Sequence, residues 1–230
     1  MPGDSEQLAM DTVVAILVGL GLAAACGLRV FLPLLVMSVS SHLGVIDLGA
    51  DWAWAGSWPA IVALGVAAAF EVAAYWIPWL DHALDVIAGP CAVVAGTLAA
   101  AAQFGDVDPM VKWASALIAG GGLAATVKAT AMTVRAGSTA TTAGIANPVV
   151  STVESLLAGA AAIVAVIAPF VVAGLLALLA LVVAAVLIRR RSRKRRALAA
   201  KAAIVKPVVI GEPVAQPVVQ RSLLRFRRAA

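Results

Sequence analysis

Long apolar stretches alternate with short polar ones along most of the chain. Four of them cover residues 12–28, 59–79, 83–104 and 110–127, and a fifth covers 148–188. About 20 apolar residues cross a bilayer as a helix, so the last run is long enough for two crossings and divides at Pro169. The pattern therefore predicts an all-α, polytopic membrane helix bundle with about six transmembrane helices. One long tilted helix with a re-entrant piece is the alternative for the last run.

Two similar stretches of sequence predict an internal repeat. Residues 21–44 and 122–144 each begin Gly-Leu-Ala-Ala, reach a basic residue (Arg29 or Lys128) and end on glycine. Each follows one predicted span and precedes two more, so three-helix repeats over 12–104 and 109–188 would lie inverted in the membrane. The segments 30–43 and 128–147 are then predicted to be re-entrant or broken. Chance similarity between common residues is the alternative.

Composition and charge agree with a membrane protein and divide the chain into three parts. Hydrophobic residues make up 63% of the chain, and charged residues only 13%. Residues 189–230 hold 13 Lys/Arg and one acid, whereas residues 1–188 hold four Lys/Arg and 11 acids. We predict an acidic N-terminal segment (1–11), a transmembrane domain (12–188) and a basic, disordered cytoplasmic tail (189–230). Six spans and the positive-inside rule place both termini in the cytoplasm.

The tail and the cysteines restrict the predicted partners. A basic tail beside a membrane helix is typically a topology signal that contacts anionic lipid head groups of the bilayer, so no nucleic-acid partner is expected. Cys26 and Cys91 lie in apolar stretches and are predicted to be small buried residues. No cofactor is predicted, and association into a homo-oligomer stays open.

Charged residues in or beside the apolar stretches form the candidate site. Charges at membrane depth are costly and usually face a bundle interior or a water-filled cavity. The pathway or ion-pair candidates are Arg29, Glu71, Lys128, Arg135 and Glu154, with Tyr75 one helical turn from Glu71. The predicted polar lining is Ser138, Thr139, Thr141, Thr142, Asn147 and Ser151.

Two interpretations of these charges stay open at this point. Glu71 and Glu154 could act as coupling carboxylates along a pathway, or they could pair with the basic residues as structural ion pairs. Lys128 and Arg135 are seven residues apart and would share one helix face. They could bind an anion there, or they could belong to a cytoplasmic loop that follows the positive-inside rule.

A weak metal site is the only enzymatic signal. Asp81 and Asp85 are four residues apart, and two carboxylates one turn apart can hold Mg²⁺, as in intramembrane prenyltransferases. The alternative is a solvated turn and helix cap. Because a single pair stands without a second acidic cluster or any other catalytic motif, we predict that the protein is not an enzyme.

Several stretches together resemble one family. They are PWLDHALD (78–85), AGTL (95–98) and STATTAGIANPVVSTVE (138–154), together with Arg29 and Glu71. The chain resembles here the bacterial membrane proteins catalogued as domain of unknown function 4126, over roughly 11–188. This resemblance implies a multi-pass protein of the bacterial inner membrane and implies no activity.

The leading functional hypothesis is a small transporter or channel for an ion or small polar solute. Glu71 and Glu154 would be its coupling or gating carboxylates, with Arg29 and Lys128 as counter-charges or anion contacts. The alternative is a structural or assembly membrane protein that acts through its basic tail. An Mg²⁺-dependent intramembrane lipid enzyme at Asp81 and Asp85 is the third hypothesis.

Overall fold

The computed structural model describes residues 2–74, 76–105 and 107–204, and these residues contain helices and turns but no strand. Within these ranges, the side chains of residues 2–4, 78–83, 85, 86, 183, 187, 190 and 193–204 are not described. The chain divides into two compact units, Met1–Ala180 and Leu181–Ala230. The candidate site lies entirely in the first unit.

Eight α-helices form the described chain. They are α1 (Pro2–Cys26), α2 (Phe31–His42), α3 (Trp58–Ala74), α4 (Pro78–Gln103), α5 (Pro109–Ser115), α6 (Gly122–Thr142), α7 (Asn147–Ile167) and α8 (Pro169–Ile204). A 3₁₀ helix over Ala50–Gly56 precedes α3, and a π-helix over Ala116–Gly121 joins α5 to α6.

The helices confirm the predicted all-α membrane architecture. In the described residues, four stretches are long and apolar enough to cross a bilayer: Ser5–Cys26, Pro109–Thr142, Asn147–Ile167 and Pro169–Val186. The bent pair Ala50–Gly56 and Trp58–Ala74 raises the number to five if it is one broken span. The count of six remains a prediction, because α2 and the apolar part of α4 (Ile87–Gln103) are shorter than a full crossing.

Predicted turn residues start and stop the helices where the sequence indicates. The Asp108 carboxylate caps α5 by accepting hydrogen bonds from the backbone N–H groups of Met110 (2.9 Å) and Val111 (3.3 Å). Pro169 divides the last apolar run as predicted: α7 ends at Ile167, and α8 begins at the proline, which has no N–H to donate.

Small residues allow α1, α4 and α6 to pack closely. A Cβ atom on Gly120 would lie 2.6 Å from the carbonyl oxygen of Gly96, and one on Gly96 would lie 2.6 Å from the Cβ atom of Ala124. Immediately after α1, a Cβ atom on Gly27 would lie 2.6 Å from the carbonyl oxygen of Ala124. Such contacts are typical of membrane helices, where close van der Waals packing replaces the hydrophobic drive.

The structure places most of both predicted irregular segments in helices. The first, 30–43, forms helix α2 (Phe31–His42), and the break in the chain lies before it, over residues 27–30. That this segment is re-entrant remains a prediction. The segment 128–147 was predicted to be broken, but α6 continues to Thr142 and only a short turn follows. Threonines in α6 donate their hydroxyl hydrogens to carbonyls four residues earlier, as Thr130 does to Thr126 (2.9 Å), so they fit the helix. The inverted repeat itself remains a prediction.

In the second unit, helix replaces part of the predicted disordered tail. Helix α8 runs through the basic cluster to Ile204. Alanine, leucine, arginine and lysine, which dominate this part of the sequence, are all good helix formers. Residues 205–230, where the rest of the predicted tail lies, fall outside the described residues.

Candidate functional site

All four basic residues that precede Arg189 in the sequence are buried. The exposed fractions are 1% for Arg29, 8% for Lys112, 4% for Lys128 and 4% for Arg135. The acids behave differently: among those described, Glu154 is buried and Glu71 is half-buried, whereas the exposed ones are Glu6, Asp11, Asp47, Asp51 and Asp108. Among the described side chains, the interior of the first unit therefore holds more basic than acidic groups.

Arg29 connects the break after α1 to helix α7. Its Nη2 atom donates hydrogen bonds to the carbonyl oxygen (2.7 Å) and the hydroxyl oxygen (2.6 Å) of Ser151. The same nitrogen lies 3.8 Å from Oε2 of Glu154. The guanidinium can reach α7 because α1 ends at Cys26 and Arg29 lies in the break that follows, where it can turn into the bundle.

Glu154 forms a close ion pair with Arg135. Oε2 of Glu154 accepts hydrogen bonds from Nη2 (2.5 Å) and Nε (3.1 Å) of Arg135, and Oε1 lies 3.2 Å from the same Nε. The two side chains are 8% and 5% exposed. One carboxylate is thus placed between two guanidiniums, one from the α1–α2 break and one from α6. Charge-assisted contacts of this kind are stronger than neutral hydrogen bonds.

The spacing of the buried residues explains how α6 and α7 present these charges. On α6, the buried positions are Ala124, Lys128, Ala131 and Arg135, which follow the three- and four-residue steps of one helix face. The predicted shared face of Lys128 and Arg135 is therefore confirmed. The alternative that both lie in a loop is wrong, since both are buried on a helix. Their position on the cytoplasmic side remains a prediction.

Glu71 binds the backbone at the start of α2. Its Oε1 accepts a hydrogen bond from the N–H group of Val30 (2.7 Å), and its Oε2 accepts one from that of Phe31 (3.0 Å). The first N–H groups of a helix have no partner inside the helix, and the helix dipole favours a negative charge there. Glu71 on α3 therefore caps the neighbouring helix α2.

An apolar pocket adjoins Glu71. It has a volume of about 350 Å³, and its lining includes Phe31, Phe70, Ala88 and Cys91. The exposed Cys91 shows that the cysteine prediction was wrong at this position, whereas Cys26 is buried as expected. Apolar periodicity alone did not distinguish a core face of α4 from a face that borders a pocket.

The predicted polar lining is divided between the interior and the surface. Ser151 is buried and contacts Arg29, and Ser138 and Thr142 are half-buried. Thr139 and Thr141 are exposed. The Asn147 side-chain amide donates a hydrogen bond to the Thr139 hydroxyl (3.1 Å) near the turn between α6 and α7.

Three candidates cannot be placed by the structure. Tyr75 lies outside the described residues, and so do the side chains of Asp81 and Asp85. The described residues contain no group of three or more His, Cys, Asp and Glu side chains arranged to hold a metal ion. The magnesium site therefore remains a prediction from the sequence.

Sequence reasoning missed Lys112, which is buried on α5 and lines a second pocket with three tryptophans. Lys112 lies near the start of a predicted span, where a lysine is usually an exposed cation at the membrane surface, so it was not singled out. The adjacent Trp113 and the tryptophans of residues 50–56 were the available signals, but nothing in the pattern brings these two segments together.

Comparison with known proteins gives one result. Residues 16–190 match the model of a family described as Domain of unknown function (DUF4126). No curated protein and no solved structure matches the chain.

Proposed function

Since the chain belongs to the DUF4126 family, whose description states no activity, we propose its function from its own geometry. We propose that the protein moves an ion or small polar solute across the membrane and is not an enzyme. The observation that carries the proposal is the buried carboxylate of Glu154, held between the guanidiniums of Arg29 and Arg135 inside a bundle of apolar helices.

The cost of these charges supports a transport role. Burying two charges carries a desolvation cost that their attraction only partly offsets, so a well-packed apolar core would be at least as stable. Ionisable residues within membrane segments usually mark ion or substrate pathways. Here Arg29, Lys128, Arg135 and Glu154 come from the α1–α2 break, α6 and α7, so the charges are gathered from distant parts of the sequence.

The break between α1 and α2 provides a second argument. Discontinuous helices in transporters point their N-terminal N–H groups at anionic groups of the substrate. In this protein, the carboxylate of Glu71 occupies that position at the start of α2. Displacement of this carboxylate by an anionic solute would release the N–H groups of Val30 and Phe31. Glu71 is thereby suited to couple solute binding to movement of α2.

We also propose in which membrane the protein lies and how it is oriented there. The family resemblance and the basic run 189–196 favour the bacterial inner membrane, with both termini in the cytoplasm. In this orientation, the basic tail would contact anionic lipid head groups from the cytoplasmic side.

Labelling of a cysteine at Ser151 tests whether the polar centre opens to water. Ser151→Cys is introduced into full-length protein in which Cys26 and Cys91 are replaced by alanine, and the protein is reconstituted in liposomes. A transporter must expose this centre during its cycle, so a charged, membrane-impermeant thiol reagent is expected to label Ser151→Cys, although Ser151 is only 2% exposed in the structure.

Leu156→Cys on the same helix is the matched control. Leu156 is 69% exposed on the outer surface of α7, where lipid should keep a thiol protonated and away from the charged reagent. We expect little labelling there. If Ser151→Cys stays unlabelled in liposomes but reacts fully after denaturation, the charges form a closed structural core. The proposal would then give way to a structural or assembly role.

A further inference from the structure

A second polar site lies away from the charge cluster, at the junction of the 3₁₀ helix and α5. A pocket of about 500 Å³ opens there, lined by Asp51, Trp52, Trp54, Lys112 and Trp113 together with Gly105, Val107 and Pro109. Its volume falls within the range of small-molecule sites, about 300–1,000 Å³. None of these residues contributes to the contacts of Arg29, Glu71 or Glu154 described above.

Lys112 is the feature that points to a ligand. The residue is 92% buried, since only 8% of it is exposed, and it lines the pocket. Its ammonium makes no hydrogen bond or ion pair with the residues that the structure describes. A Cβ atom on Gly49 would lie 3.5 Å from Nζ, which places the ammonium beside the chain that enters the 3₁₀ helix. A largely buried lysine whose ammonium has no ion-pair partner among the described residues is costly, and a bound anion would reduce that cost.

The remaining lining favours a cation. The rings of Trp52 and Trp54 are stacked with centroids 6.3 Å apart, and Trp113 lies 6.3 Å from Trp52 at a tilt of 49°. Indole faces attract organic ammonium groups, and the exposed carboxylate of Asp51 adds a negative charge to the same pocket.

We propose that this pocket binds a zwitterion in which an anionic carboxylate or phosphate lies close to an ammonium group. The anionic group would contact Lys112 in the deep part of the pocket, and the ammonium would contact Asp51 and the indole faces. The inference does not depend on the proposed transport function. The same chemistry occurs in free amino compounds and in lipid head groups, so the test must separate these two sources.

Tryptophan fluorescence provides the measurement, because three of the six tryptophans in the chain line the pocket. The full-length protein is placed in nanodiscs of phosphatidylglycerol, whose head group has no ammonium, and is titrated with O-phosphoethanolamine. We expect a saturable change in fluorescence. Inorganic phosphate alone and ethanolamine alone should bind at least about tenfold more weakly, because each lacks one charge-assisted contact.

Three variants locate the ligand in the pocket. Lys112→Gln should weaken binding of O-phosphoethanolamine about tenfold or more. Asp51→Asn should bind O-phosphoethanolamine no more tightly than it binds inorganic phosphate. Asp47→Asn, at an exposed position outside the pocket, should bind as the unchanged protein does. If Lys112→Gln fails to fold, Lys112→Arg retains the charge and should retain binding.

A second set of nanodiscs separates the sources. If O-phosphoethanolamine gives no change but nanodiscs that contain phosphatidylethanolamine give a change that Lys112→Gln abolishes, the ligand is a lipid head group, and the site assignment stands. The absence of a saturable response to every probe would overturn the proposal. Equal affinity of Lys112→Gln and the unchanged protein for O-phosphoethanolamine would overturn it as well.

Discussion

Replacement of Glu154 by glutamine is expected to lower the free energy of unfolding by about 3–5 kcal/mol, the usual cost of removing one partner from a buried ion pair. The carboxylate accepts hydrogen bonds from Arg135 and lies 3.8 Å from Arg29, so its neutralisation leaves both buried guanidiniums without its negative charge. Unfolding of the purified protein by a denaturing detergent, followed by tryptophan fluorescence, measures the effect.

A double-mutant cycle separates the ion pair from simple loss of packing. Arg135→Gln alone should also destabilise, but the double variant Glu154→Gln with Arg135→Gln should lose less than the two single losses added together. We expect a coupling energy of about 0.5–3 kcal/mol, as measured for residues in one network. Glu6→Gln, at an exposed position of α1, should stay within about 0.5 kcal/mol of the unchanged protein. A comparably small effect of Glu154→Gln would contradict the described geometry.

Glu71→Gln is expected to abolish flux while the protein still inserts and folds. A carboxylate offers two acceptor oxygens to the N–H groups of Val30 and Phe31, whereas an amide offers one oxygen and a nitrogen that itself donates. One N–H group would then face another donor, and the negative charge at the start of α2 would be lost. Loss of the cap should cost only about 0.5–2 kcal/mol, so the fold should survive.

Flux of reconstituted Glu71→Gln, normalised to the amount of correctly inserted protein, tests this expectation. Glu71→Asp keeps the charge on a shorter side chain and should retain part of the flux, which would distinguish the role of the charge from that of the exact contact. Normal flux in Glu71→Gln would show that Glu71 is only a structural cap.

The sequence was informative about which residues matter and less informative about their partners. Arg29, Lys128, Arg135 and Glu154 stood out because charges are rare in apolar stretches, and all four are buried. Their pairing could not be predicted, since two acids and three bases allow many combinations of similar energy. The binding of Glu71 to the N–H groups of Val30 and Phe31 depends on how α3 packs beside α2, which hydropathy does not determine.

Errors in the prediction of secondary structure came from polar residues that a helix can accommodate. The threonines of 126–142 suggested an irregular segment, but their hydroxyls bond to carbonyls within α6. The basic run 189–196 suggested the end of regular structure, but α8 continues to Ile204. In both places, the polar residues left the helical backbone conformation unchanged.

If the protein is a transporter, the unchanged protein must move at least one solute across a bilayer. The full-length protein, reconstituted in liposomes, is compared with protein-free liposomes for flux of protons, sodium, potassium, chloride, phosphate and small zwitterions along imposed gradients. We expect saturable flux of at least one of these solutes and its loss in Glu71→Gln. Proteoliposomes as tight as protein-free liposomes to every solute, with the protein folded and inserted, would contradict the proposed transport function.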